Sequence, residues 1–192
     1  MSVGARIIAK IGNTDMGAID IQPSECRFEI VVRDATPPRF ARSALTDTQY
    51  IRAKVRHNRL IDLFFGAVAH PIRTGPHVVL HDVGQIETDE IYVAVRNTGQ
   101  QFVIPIQAKV GSDQIGTVQI EQDLALCRDK FPTLTPRLVA VQFKKDAIGE
   151  VIVMFELVLA NDEIKVLDEK HYRLVPADQI SSDDLQTMSR TD

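Results

Sequence analysis

Two nearly unbroken apolar runs constrain this chain more than any other feature: RLVAVQF, residues 137 to 143, and EVIVMFELVLA, residues 150 to 160. Both read as strands, and the first has the look of a buried one, because a strand covered on both faces loses the alternation of apolar and polar residues. Neither approaches the roughly 20 residues needed to cross a bilayer, and the start MSVGARIIAKIG lacks a long apolar stretch, so no membrane partner is expected and the expected location is cytoplasmic. At 192 residues, 44% of them hydrophobic, the chain is long enough for one buried core and cramped for two, which predicts a single soluble α/β domain.

The remaining elements follow from local signals. Residues 1–45 mix strand-like runs (RIIAKI, CRFEIVV) with turns at Gly12-Asn13 and Pro37-Pro38, and are expected to form accessory strands or a hairpin. Thr46 or Asp47 caps a helix expected to run to about Phe65, with an apolar stripe of Ile51, Val55, Ile61, Phe64 and Phe65 and a stop at Gly66. The prolines and His70, His77 and His81 read as a loop around a short strand, VVLH. EIYVAV (90–95) and FVIPIQAK (102–109) then form an antiparallel hairpin, and Gly111-Ser112-Asp113 turns into a helix ending near Lys130, marked by Ile115, Val118, Ala125 and Leu126. EIKVLD and HYRLV read as two further short strands closing a core of residues 46–177, and residues 178–192 as a frayed polar tail.

Chemistry is suggested by one spacing. An acidic cluster, Glu87-x-Asp89-Glu90, opens the first strand of the hairpin, and Gln107-x-Lys109 closes the second. Alternate residues of a strand share a face, so Gln107 and Lys109 project together, as do Glu87 and Asp89, and hairpin geometry can bring the two pairs to one spot. Carboxylate and amide oxygens are hard ligands for Mg2+ or Mn2+, while a neighbouring lysine can orient water and offset charge on a phosphate. Read separately, the acids are a solvated strand entrance and Lys109 a guard on a sheet edge. Strand register leaves open whether Asp89 or Glu90 is the principal ligand.

These residues resemble the restriction-endonuclease-like, or PD-(D/E)XK, nuclease superfamily, whose core is an acid-bearing strand, a strand ending (D/E)-x-K, and then a helix on a mixed sheet. Asp89 or Glu90, Gln107-Ala108-Lys109 and the helix from about Asp113 are the counterparts here. Two departures stand out: no proline precedes the acid, and Gln107 occupies the position of an acid. The resemblance implies a restriction-endonuclease-like α/β core, a central mixed β-sheet flanked by helices. It further implies an Mg2+- or Mn2+-dependent DNA endonuclease, in which Asp89, Glu90 and Gln107 hold metal, Lys109 positions water and Glu87 serves as a further acid. Gln119 and Gln122 on the following helix, and Arg52, Arg56 and Arg59 on the earlier one, are candidates for nucleic-acid contact. A homodimer suits cleavage of both strands of a duplex.

The alternatives are a catalytically degenerate nucleic-acid-binding or structural domain of the same fold, and a protein-interaction module that pairs through its long strands. The net charge of −4 coats no surface in positive charge but leaves room for one basic face. Cys26 and Cys127 lack metal-site or disulfide spacing and read as core or half-buried thiols. Absence of a Gly-rich phosphate loop, GxSxG or HExxH argues against nucleotide-dependent, serine-hydrolase and zinc-protease chemistry.

Overall fold

The computed structural model describes residues 6–10, 18–19, 21–25, 28–40, 45–74, 78–80, 84–86, 90–110, 115–161 and 163–189, with the backbone alone for 6–10, 18, 73–74, 78–80, 84–86 and 110. Glu87, Asp89, His77, His81, Cys26 and the turns expected at Gly12-Asn13 and Gly111-Ser112-Asp113 lie outside the described residues. The elements are β1 (Arg6–Lys10), β2 (Ala18–Ile19), β3 (Glu29–Arg33), α1 (Asp47–His57), α2 (Leu60–Phe65), β4 (Ala67–Thr74), β5 (Val78–Leu80), β6 (Gly84–Ile86), β7 (Glu90–Arg96), β8 (Gln101–Val110) and β9 (Ile115–Gly116). They continue with α3 (Thr117–Lys130), β10 (Thr135–Pro136), β11 (Leu138–Lys145), β12 (Glu150–Ala160), β13 (Glu163–Val175) and α4 (Ser182–Ser189).

The main sheet is mixed, in the order β1-β13-β12-β11-β8-β7-β4, with β3 beside β13 and β10 beside β8. β4, β7 and β8 pair antiparallel, and β11 returns parallel to β8 after α3. A parallel return needs a crossover, which α3 supplies. Side-chain alternation then divides the core in two. Phe102, Ile104, Ile106 and Ala108 of β8 face α1 and α2, together with Tyr92, Ala94, Val139, Val141, Ile152 and Met154. Val103 and Ile91 face α3 at Leu126 and Cys127, while Leu138, Ala140, Val153 and Phe155 pack on Ile120 and Leu124 of the same helix. Each large side chain so buried contributes about 1.5–3 kcal/mol.

Several expectations are corrected. The first helix begins as expected, with Thr46 and Gln49 in a reciprocal capping box, but it breaks at Asn58 rather than running to Phe65. The buried Asn58 amide donates to the Lys54 carbonyl at 2.9 Å, and its Oδ1 accepts from Ala35 N at 2.8 Å. An Asn side chain competing for backbone groups favours a turn over a helix interior, and Arg59 follows at φ 51°. A second, short helix then ends at Gly66, φ 58°.

Of the stretch from His70 expected as a loop around the short strand VVLH, residues 70–74 instead belong to strand β4, while Val78–Leu80 is a strand as expected, paired with β6. Pro71 is tolerated because β4 ends the sheet order, and the register shifts between Pro71 and Arg73. The helix after Lys109 starts at Thr117, not near Asp113. Ile115–Gly116 first pairs with Ala18–Ile19, and Val118 is exposed. The two short strands expected near the end are one strand, β13. The tail forms α4, capped by Ser181, whose Oγ accepts from Asp184 N at 3.1 Å.

Residues 18–19 and 21–25 are built into the layer beside α3. Ile19 and Ile21 join its core, Gln142 Nε2 donates to Ile21 O at 2.7 Å, and Ser24 donates through N and Oγ to buried Glu169, at 2.7 and 2.8 Å. Glu169 also holds the His171 ring at 2.8 Å. Among the described residues no helix is long and apolar enough to cross a membrane.

Candidate active site

The end of β8 meets α3 in a two-rung ladder. Gln107 Nε2 donates to Asp123 Oδ2 at 2.5 Å, and Lys109 Nζ makes a longer contact of 3.5 Å to Gln119 Oε1. The spacing has a simple origin. Two residues along a strand advance about 6.7 Å and four along a helix about 6 Å, so an i, i+2 pair on β8 matches an i, i+4 pair on an α3 running the opposite way. Gln107 is 1% exposed and Asp123 0%, whereas Lys109 and Gln119 are half-buried. Polarity therefore increases from the core outward along the ladder. Ala140 is the β11 neighbour of Gln107 and Gln142 that of Lys109, which leaves a small side chain beside the buried amide and a polar one beside the lysine.

A carboxylate only accepts hydrogen bonds, so the Gln107 carboxamide must present its NH2 to Asp123, and Oε1 is turned away from it. Cys127, one turn beyond Asp123, is fully buried, and burial together with the Asp123 charge pushes its thiol up to about 12. A thiol so held is no nucleophile near neutral pH.

Glu90 lies on the other side of the sheet. Its Cα is in register with Ile106, and cross-strand partners share a face, so Glu90 points toward α1 while Gln107, the next residue, points toward α3. There Glu90, 3% exposed, pairs with Arg56 and accepts from the Tyr92 hydroxyl at 2.7 Å. Burial, with Glu90 alongside, holds the Tyr92 hydroxyl well above its ordinary range. The expected grouping of Glu90 with Gln107 is not formed.

The basic face expected on the first helix is broken up by acids. Arg56 is taken by Glu90, Arg59 pairs with Asp62 at 2.8 Å, Arg52 is half-buried, and Lys54 is buried between Asp34 and Glu150. Lys54 sits between Ile51 and Val55 on the buried arc, which explains its burial. Gln122, one residue before Asp123, is half-buried. His70 is exposed and lines a cavity of about 230 Å³ with Arg56, Arg59 and Tyr92. Among the described residues no group of three or more His, Cys, Asp or Glu is placed to hold a metal ion.

Asp123 is the residue that spacing alone did not single out. Its signal was present: an acid four residues after Gln119, on the arc that carries Ile120, Leu124 and Cys127. A carboxylate in an apolar stripe is costly unless it is hydrogen-bonded or paired, and so calls for an explanation. Comparison with protein-family models, with curated proteins and with solved structures returned no match for this chain.

Proposed function

We propose that the chain is a metal-dependent endonuclease that hydrolyses phosphodiester bonds of DNA at a variant PD-(D/E)XK site. The observation that carries the reading is the placement of Lys109. It is the penultimate residue of a buried strand, two residues beyond a buried Gln107, on the face covered by the helix that follows, and is half-buried against Gln119. The order of acid-bearing strand, antiparallel lysine-bearing strand, helix and parallel strand supports a restriction-endonuclease-like core.

Gln107 Oε1 is a hard neutral oxygen that fits Mg2+ or Mn2+. Glu90 does not fit, since Arg56 occupies its carboxylate on the opposite face. The strand acid is left to Asp89, with Glu87 as the further acid, as the sequence resemblance implies. When bound, the ion supplies Lewis acidity and lowers the pKa of water. Lys109 holds the attacking water and offsets negative charge on the phosphate, and the packed sheet and helix keep these groups fixed before substrate arrives. Gln119 holds the lysine in place, and cleavage of both strands of a duplex is assigned to a homodimer.

The test is cleavage of supercoiled and linear DNA with Mg2+ or Mn2+ by the native chain, Lys109→Ala and Asp89→Ala. Cutting that requires metal and falls at least about 10²-fold in both variants is the expected result. DNA binding without cutting in either metal replaces this reading with a degenerate nucleic-acid-binding domain.

A further inference from the structure

We infer that β3 is a docking edge for a second copy of this chain, pairing antiparallel with the same strand of that copy about a two-fold axis through Val31. The surface is remote from the candidate active site, since β13, β12 and β11 separate β3 from β8. It gives the homodimer assigned above an interface, but it rests on the edge itself and holds whether or not the chain cuts DNA.

The backbone sets the register. β3 runs parallel to β13, and Asp34 N donates to Val175 O at 2.8 Å. Backbone groups of successive strand residues point to opposite sides, so Ile30 and Val32 also bond toward β13, while the N–H and C=O of Glu29, Val31 and Arg33 point out of the sheet. A two-fold axis through Val31, perpendicular to the sheet, sets Val31 against Val31 of the second copy and Glu29 of each copy against Arg33 of the other. All three outward-pointing residues then have backbone partners. The side chains match as well: an acid and a base face each other at both ends of the pairing, and Ile30 meets Val32 between them. Shifting the axis by one residue loses both charge pairs. Arg33 is exposed, and Glu29, held through Oε2 by Arg173 Nε at 2.5 Å, has a second oxygen able to accept from an arginine across the axis.

The surroundings of the strand support the same occupant. A groove of about 640 Å³ follows β3, lined by Phe28 to Arg33, by Leu63 of α2 and by Thr187 and Met188 of α4. Half of the large apolar side chains exposed among the described residues gather here: Phe28, which is 84% exposed, Ile30, Leu63, Leu185 and Met188. Leu185 and Met188, three apart on α4, share a face, yet α4 buries no residue. The axis through Val31 keeps the two α4 helices on one side of the joined sheet and gives those faces a cover. The opposite edge makes the contrast: β4 carries Pro71 and a shifted register, devices that block pairing, whereas β3 pairs β13 in unbroken register and has only apolar residues between its terminal charges.

The test is sedimentation equilibrium of the full chain over about 1 to 100 µM, without metal or DNA, for the native protein, Val31→Pro and Arg33→Glu, with melting curves to establish that each folds. Proline at 31 removes only an outward N–H, so pairing with β13 is kept while the axis loses its two central hydrogen bonds. Arg33→Glu sets acid against acid at both ends of the pairing. The native chain should dimerise in this range, and each variant should weaken the dimer at least about tenfold. The loss in Arg33→Glu should shrink at about 1 M salt, where the repulsion is screened, and that in Val31→Pro should not. Should Val31→Pro fail to fold, Arg33→Glu and its salt dependence decide.

A native chain that stays monomeric throughout would overturn the inference and leave the edge to a different partner. A dimer of native strength in the folded variants would place the contact on another face and overturn it as well. DNA cleavage followed in parallel separates the two readings: a dimer that weakens in the variants as expected, in a chain that cuts no DNA, upholds the β3 edge and removes only the nuclease.

Discussion

The two faces of the β7–β8 hairpin each cover a buried carboxylate, and each carboxylate takes hydrogen bonds from a different kind of side chain. On the α1 face Glu90 has an arginine and a tyrosyl hydroxyl. On the α3 face Asp123 holds a neutral amide, with a lysine two residues further along the strand. A charge neutralised by a fixed guanidinium has little left for a ligand and works as a tether between helix and sheet. One hydrogen-bonded to an amide orients that amide and leaves its oxygen usable. The same kind of residue thus serves as a strut on one side and as part of a candidate site on the other, and the partner decides which.

The most severe trial of this contrast is Gln107→Glu alone, which sets two carboxylates against each other in the core. Without metal it should destabilise the fold by about 3 kcal/mol, read as a fall in denaturant midpoint, and Asp123→Asn should relieve it. An unchanged midpoint would mean that Asp123 is not a carboxylate acceptor in the folded chain.

Next in size is Arg56→Ala, which leaves Glu90 buried without its cation. Because Arg56 is half-exposed, the loss should be roughly 2 kcal/mol rather than the full cost of an orphaned buried charge. Adding Glu90→Gln should recover part of it, and neither change should alter Mn2+ binding. A metal response that disappears with Glu90→Gln would move Glu90 into the site and erase the distinction between the faces. Tyr92→Phe, which removes one hydrogen bond to the same carboxylate, should cost about 1.5 kcal/mol in a melting comparison and again leave metal binding untouched.

The smallest effect, absent at neutral pH, appears in acid and should touch both faces alike. Burial pushes the carboxyls of Asp34 and Glu169 upward, but hydrogen bonds from Lys54 and Thr36 to the first, and from Ser24 and His171 to the second, leave both below their ordinary values. A carboxylate depressed on folding contributes stability that is complete above the unfolded-state range, from about pH 5 upward, and is lost as pH falls through the folded-state values. The melting temperature should hold from neutral pH to about 5 and then decline, with a shallower decline in Asp34→Asn and in Glu169→Gln. A curve of native shape in both variants would sink the assignment of these two groups.

Local features were legible in the amino-acid order: the hairpin strands 90–96 and 101–110, the long strand 150–160, the cap at Thr46, the stop at Gly66, and the shared face of Gln107 and Lys109. These depend on periodicity and capping within a few residues. Whatever depends on partners distant in the chain emerged only with the packed fold. The break at Asn58 needs Asp34 and Thr36 to accept from its amide and Ala35 N to donate to it, Pro71 is accommodated only because β4 ends the sheet order, and the turn of Glu90 away from Gln107 follows from cross-strand register with Ile106. Asp123 belongs to this second group: a helix shows only that it shares an arc with Ile120 and Leu124, and its meaning appears once β8 lies against that arc with an amide at hydrogen-bonding distance.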